Sequence, residues 1–124
     1  MLKRILVVDD SAPTRGLVRT FIESRSGYEV CGEAVDGVEG IQKGRELKPD
    51  LIVLDYSMPR INGLQAALIL HEIVPNTPII LFTFYKEAIP MDLAKATGVA
   101  SILCKADQLT TLADEVQRLT DLAN

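Results

Sequence analysis

Four short apolar runs in this chain end on side chains that can handle phosphate. Ile5-Leu6-Val7-Val8 leads into Asp9-Asp10, and Leu51-Ile52-Val53-Leu54 leads into Asp55. Ile79-Ile80-Leu81-Phe82 leads into Thr83, and Ser101-Ile102-Leu103-Cys104 leads into Lys105. Carboxylates brought together repel and raise one another's pKa. A hard divalent cation relieves that repulsion. Mg2+ commonly takes one or two carboxylates together with phosphate oxygens, whereas a dedicated Ca2+ cage needs more ligands than these. The Lys105 ammonium is a point charge suited to a phosphoryl oxygen, and the Thr83 hydroxyl can donate one hydrogen bond to a second. A carboxylate between a metal and an ammonium is a credible phosphoryl acceptor, working through positioning and charge neutralisation.

These side chains meet only if the four runs are neighbouring strands that point the same way. Continuous apolar runs between helical patterns read as strands buried on both faces of a parallel sheet. A fifth strand, Tyr28 to Ala34, alternates Tyr28, Val30 and Gly32 against Glu29, Cys31 and Glu33, the pattern of a less buried edge. Five alternations of strand and helix imply right-handed crossovers. The reading is a flavodoxin-like, doubly wound (βα)5 α/β fold with a five-stranded parallel sheet in the order 2-1-3-4-5. Such sheets bind ligands outside the C-terminal ends of their strands. With strands ~4.8 Å apart, Asp55 lies mid-edge, with Asp9 and Asp10 one strand away on one side and Thr83 one strand away on the other. Lys105 starts ~10 Å off, a gap that its long side chain can largely close.

The first helix is expected from about Pro13 to Ser24, with Leu17, Val18, Phe21 and Ile22 as its buried stripe. Asp36 and Glu39 form a capping pattern for a second helix ending near Leu47, and Lys48-Pro49-Asp50 breaks the chain after it. The third helix reads from Gly63 to Val74, with Leu64, Ala67, Leu68 and Leu70 or His71 near its faces. The fourth reads from about Lys86 to Thr97, where Pro90 is tolerable only in a first turn. The fifth runs from about Gln108 to Leu122, with Asp107 as N-cap and Leu109, Leu112, Val116 and Leu119 facing inward.

The 124 residues allow one domain, residues 1–124, and nothing in them looks like a linker or repeat. Hydrophobic residues make up 48% and charged residues 24%, ordinary for a globular protein. No apolar stretch approaches the ~18 residues of a membrane span. Asp9 and Asp10 cut short the apolar run that a signal peptide would need, so a cytoplasmic location is expected. Cys31 and Cys104 read as buried free thiols, and no Cys/His cluster offers a zinc site. A net charge of −4 without a basic block argues against direct nucleic-acid binding. His71, the single histidine, reads as a surface or half-buried helix residue.

Asp55-Tyr56-Ser57-Met58-Pro59-Arg60-Ile61-Asn62-Gly63 resembles the D-x-x-M-P-x-x-x-G stretch of response-regulator receiver domains. The acidic pair, the threonine and the lysine match the same family in order, so the resemblance covers essentially the whole chain. Gly32-Glu33-Ala34-Val35-Asp36-Gly37 resembles a stretch found in receivers attached to DNA-binding domains. The resemblance implies that Asp55 accepts phosphate from a histidine kinase or phosphotransfer protein. Asp10, Asp55 and the backbone carbonyl of Ser57 would ligate Mg2+, with Asp9 helping directly or through water. Lys105 would bind the acyl phosphate, and Thr83 would shift toward it. A downstream partner would read the face made by the fourth helix, fifth strand and fifth helix. Homodimerisation on phosphorylation is left open, and the role is regulatory rather than that of a turnover enzyme.

Three positions depart from the family pattern. Phe84 stands where a small residue is common, which makes it a candidate access gate. Ala106 replaces the proline that usually follows the lysine. A cis bond there would cost ~2.5 to 4 kcal/mol, so trans geometry with altered Lys105 placement, or a strained loop, is expected. Ile102 stands where a switch aromatic usually sits. These departures support an alternative, a pseudo-receiver that binds partners without phosphate control. A haloacid-dehalogenase-type phosphohydrolase would need Asp-x-Asp after the first strand, and here Ser11 follows Asp9 at that spacing.

Overall fold

The computed structural model describes residues 2–122, the Leu122 side chain excepted. Five strands, β1 (Lys3–Val8), β2 (Tyr28–Ala34), β3 (Leu51–Leu54), β4 (Ile79–Thr83) and β5 (Val99–Cys104), form one parallel sheet in the order β2-β1-β3-β4-β5. The helices are α1 (Ala12–Glu23), α2 (Gly37–Leu47), α3 (Gly63–Ile73), α4 (Met91–Ala96) and α5 (Leu109–Leu122). This is the flavodoxin-like architecture read from the alternation, with β2 at an edge.

The two faces of the sheet explain why the central runs are apolar throughout. Leu6, Val8, Ile52, Leu54 and Leu81 face a core completed by Leu64, Ala67 and Leu70 of α3 and Ala94 of α4. Ile5, Val7, Val53, Ile80 and Phe82 face a second core with Val18 and Ile22 of α1 and Leu112, Val116 and Leu119 of α5. Successive side chains point to opposite faces, so a strand covered on both sides has no solvent-facing position left for a polar residue.

Helix starts follow local chemistry. Ser11 caps α1 by accepting the Thr14 N–H, with Pro13 in the first turn. Asp36 caps α2 through the Glu39 N–H. Asn62 and Gln65 form a reciprocal capping box at α3. Lys48 ends α2 in the left-handed region at φ 46°, immediately before Pro49.

Several expectations need correction. The fourth helix is not continuous: Lys86–Ala88 is a 3-10 turn, and α4 begins only after Pro90, which serves as its N-cap. The proline cannot donate a helical hydrogen bond, so the chain restarts at the next residue. β5 starts two residues earlier than the apolar run suggests, at Val99, because Gly98 turns the chain at φ 88° directly into pairing with Ile79. Asp107 does not adjoin α5; Gln108 intervenes, and the Asp107 N–H closes a turn onto the Cys104 carbonyl. Leu17 is about half exposed rather than buried, and Leu68 lies on an exposed face of α3. Each belongs to a helix whose core-facing stripe is already filled by its neighbours (Val18 and Ile22; Leu64, Ala67 and Leu70). Both cysteines are free but only half-buried. His71 is exposed on α3.

Gly63 fixes how the segment after Asp55 turns into α3. A Cβ there would lie 2.4 Å from the Asp55 carbonyl oxygen and 2.8 Å from the Tyr56 Cα, both backbone atoms that cannot swing away. Gly63→Ala is expected to cost about 1–3 kcal/mol of stability, the range for overpacking, in urea unfolding. A midpoint equal to that of the parent would show that the turn relaxes freely.

Candidate functional site

The β1–β3 register pairs Val8 with Leu54, so the next residues, Asp9 and Asp55, leave the sheet side by side. Their main chains are held there: the Asp55 N–H donates to the Val8 carbonyl at 2.9 Å, and the Asp9 N–H donates to the Ala34 carbonyl at 3.0 Å. One carboxylate oxygen from each of Asp9, Asp10 and Asp55 lies within 4.8 Å of the others. Asp9 and Asp55 are buried, at 3% and 5% exposure, while Asp10 faces solvent. Ser11, which caps α1, also donates its N–H to Asp9 Oδ1 at 2.9 Å.

Lys105 crosses β4 to the same pocket. Its Nζ lies 2.6 Å from Asp9 Oδ2 and 3.3 Å from Asp55 Oδ1, and its side chain is only 9% exposed. The Lys105–Ala106 bond is trans, since no cis peptide occurs among the described residues. Trans geometry is one of the outcomes expected from Ala106. Lys105 reaches both acids, and the loop after it contains no residue with positive φ. Strand pairing positions the lysine instead: its N–H donates to the Thr83 carbonyl at 2.9 Å. Thr83 is fully buried, and its Oγ1 accepts the Tyr85 N–H at 3.0 Å. Ser57 lies exposed in the bend two residues after Asp55. Phe84 is 66% exposed at the rim, its ring centroid 5.8 Å from Lys105 Nζ.

Two residues outside the expected set support the pocket. Ser11 orients Asp9, and Arg15 donates from Nη1 to the Asp9 carbonyl at 2.7 Å while pairing through Nε with Glu33 at 2.9 Å. Ser11 was legible as a helix cap two residues before Pro13. Arg15 gave no local signal, because its partner lies on another strand.

The electrostatics are unbalanced. Burial, and then the neighbouring Asp9 charge, raise the Asp55 carboxyl from 3.8 to about 6 against the pull of Lys105, with a further push from Asp10. One ammonium does not offset the crowded acids. An all-carboxylate, oxygen-only donor set in that condition fits a hard divalent cation such as Mg2+.

The response regulator receiver domain model matches residues 5–117. The chain belongs to this family. As a receiver it is 35% identical over 121 residues to the chemotaxis protein CheY of Thermotoga maritima, covering 97% of this chain and 99% of that one. It is 48% identical over 80 residues to a protein-glutamate methylesterase/protein-glutamine glutaminase of Maricaulis maris, a match to 64% of this chain that spans only 20% of that relative's length. The crystal structure of the response regulator domain of Thermotoga maritima CheB superposes with a TM-score of 0.85 at 31% identity, covering 99% of this receiver and 96% of that chain.

The raised Asp55 carboxyl has a consequence for stability. The folded receiver holds this proton more tightly than the unfolded chain, so the contribution of Asp55 to stability is greatest below 3.8 and is lost as pH rises to about 6. Above that, the ionised buried carboxylate is a cost. Asp55→Asn is therefore expected to stabilise the metal-free receiver by on the order of 1–3 kcal/mol at pH 7.5, with the gain shrinking as pH falls through 6 toward 4. Urea midpoints in chelator at several pH values test this; a gain that is absent, or independent of pH, would remove the electrostatic account.

Proposed function

We propose that residues 1–124 act as one receiver domain whose Asp55 takes a phosphoryl group from a phosphohistidine of a sensor histidine kinase or phosphotransfer protein. The observation that carries this reading is the Lys105 ammonium shared by Asp9 and Asp55 beside a third carboxylate. Asp10, Asp55 and the Ser57 backbone carbonyl would hold Mg2+, with Asp9 directly or through water. Bound there, the ion supplies positive charge to the acids and to the incoming phosphoryl oxygens.

In this reading an Asp55 carboxylate oxygen attacks phosphorus, the P–N bond to the donor imidazole breaks, and the imidazole leaves as a neutral ring that keeps the proton already on its other nitrogen. Lys105 turns its ammonium from Asp9 to a phosphoryl oxygen, and the buried Thr83 hydroxyl donates to another. The catalytic contribution is positioning and charge neutralisation. Water later cleaves the acyl phosphate and restores Asp55, so the domain is a regulatory switch and not a turnover enzyme. The added charge and acceptor oxygens bias the β4 to α4 segment. Met91 and Leu93, 44% and 51% exposed on α4, supply apolar area for a downstream partner on the α4-β5-α5 face. We place the switch in the cytoplasm. It makes no direct contact with nucleic acid or membrane, and its phosphorylated form can pair as a homodimer. Among the described residues no helix is long and apolar enough to cross a membrane.

A phosphate-independent interaction module is the second reading. It is favoured by Ile102, 4% exposed in the core where the family usually has a switch aromatic, and by Phe84 beside the lysine. Titration with Mg2+ and beryllofluoride separates the two. A switch binds the reagent at Asp55 and shifts resonances around Thr83; no binding at millimolar reagent selects the module.

Asp55→Asn is expected to reduce phosphoryl labelling to background while preserving the far-UV circular dichroism spectrum. Undiminished labelling would put the acceptor elsewhere. Phe84→Ala is expected to speed labelling by small donors such as acetyl phosphate, and an unchanged rate would remove the ring as a gate.

A further inference from the structure

The three acids of the pocket are not held equally. Strand pairing pins Asp9 and Asp55 by their main chains. Asp10 lies one residue further on, in the bend between β1 and α1, and faces solvent. Where its carboxylate points depends on the plane of the Asp9–Asp10 peptide. The carbonyl of that peptide belongs to Asp9, beyond the end of β1, and it is held from α1: Arg15 Nη1 donates to it at 2.7 Å.

The guanidinium is itself braced. Its Nε pairs with Glu33 Oε1 at 2.9 Å, and the arginine side chain is only 14% exposed. Arg19 takes the other Glu33 oxygen at 2.8 Å, and Lys43 Nζ donates to the Glu33 carbonyl. A planar fork fixed on one edge by a carboxylate presents its remaining N–H groups in a set direction. Glu33 on β2, Arg15 on α1 and the Asp9 carbonyl thus form one continuous strap from the edge strand to the peptide that carries Asp10.

We infer that Arg15, anchored on Glu33, is the positioning residue that aims Asp10 at the divalent cation. The inference rests on the metal reading of the acid pocket. Arg15 acts through the Asp9 carbonyl and not on the ion. Its charge works against this role, because a cation beside an acid pocket repels a divalent ion. Electrostatics alone therefore predicts that removing Arg15 tightens metal binding. Placement predicts the reverse, since losing a group that orients a metal ligand weakens binding by roughly 10–100-fold.

The test is titration of Mg2+ alone into the whole chain, followed by amide NMR, together with amide relaxation of Asp10 in the metal-free protein. Arg15→Ala is expected to weaken Mg2+ binding about tenfold. It should also lower the Asp10 order parameter from ~0.85, the value of a rigid backbone, toward ~0.6, with the Asp55 amide unchanged. Arg15→Lys keeps the charge and loses the fork, so it should do the same, and it serves where the alanine variant fails to fold. Arg19→Ala removes an equal charge from Glu33 without touching Asp9, so its Mg2+ affinity should match the parent's. Four results would overturn the positioning role and leave the metal site in place: Mg2+ binding unchanged or tighter in the Arg15 variants, weaker binding with Asp10 as ordered as in the parent, an Asp10 amide already mobile in the parent, or an equal loss in Arg19→Ala. Failure of the parent to bind Mg2+ at tens of millimolar would overturn the metal reading, and the positioning role with it.

Discussion

A single ammonium has to neutralise more carboxylate than it can, and the site is organised around that shortage. Lys105 lies 2.6 Å from Asp9 and 3.3 Å from Asp55, with all three side chains under a tenth exposed. Two like charges ~4 Å apart cost about 4 kcal/mol at an effective dielectric constant of 20, and burial adds a desolvation cost to each. Such a cluster does not stabilise a fold. Here it is imposed by the sheet, whose ladder pins the Asp9 and Asp55 main chains to neighbouring strands. The two apolar cores on either side of that sheet supply the stability that the acids consume. A pocket kept short of positive charge is what a divalent cation can complete.

The same ladder explains why Ala106 is tolerated. In a receiver whose lysine were placed by the loop that follows it, losing the proline would move the ammonium. Here the Lys105 N–H is tied to the Thr83 carbonyl, and the turn beyond closes through the Asp107 N–H on the Cys104 carbonyl at 3.0 Å. The ammonium's reach is set before the chain arrives at residue 106. Departures from a family motif therefore differ in weight according to whether the backbone around them is already committed by strand pairing.

That distinction also marks what could be read from sequence. The strands, their order and the convergence of Asp9, Asp10, Asp55 and Lys105 were legible, because burial on both faces forces unbroken apolar runs and parallel pairing aligns their ends. Local cap chemistry was legible at Asp36, and its signal was present at Ser11 and Asn62. Leu17 was misjudged because helical periodicity indicates which residues share a face but not how wide a stripe the sheet covers. The interruption at Pro90 was misplaced because helical periodicity in 86–97 continues across a backbone that the proline divides. The contacts of Arg15 with the Asp9 carbonyl and Glu33 join separate elements, and no local pattern encodes them.

The pocket is also unevenly supported, and this bears on where a signal can leave it. On the β1–β3 side the acids are backed by residues 5–8 and 51–54, which have essentially no solvent exposure. On the other side, the segment after Thr83 is a 3-10 turn followed by a six-residue helix with no side-chain cap. The Thr83 hydroxyl oxygen accepts the Tyr85 N–H at 3.0 Å, so a turn of the Thr83 side chain that carries this oxygen away would release the main chain next to Phe84. Close-packed interiors respond to such a demand by switching between discrete arrangements rather than by deforming smoothly. With Ile102 buried where an aromatic would otherwise move, the groups free to exchange positions are those on 84–90, whose two aromatic rings are more than half exposed. The short, weakly capped segment is thus the least constrained wall of the pocket, while the strand ends that hold the acids are pinned by the ladder.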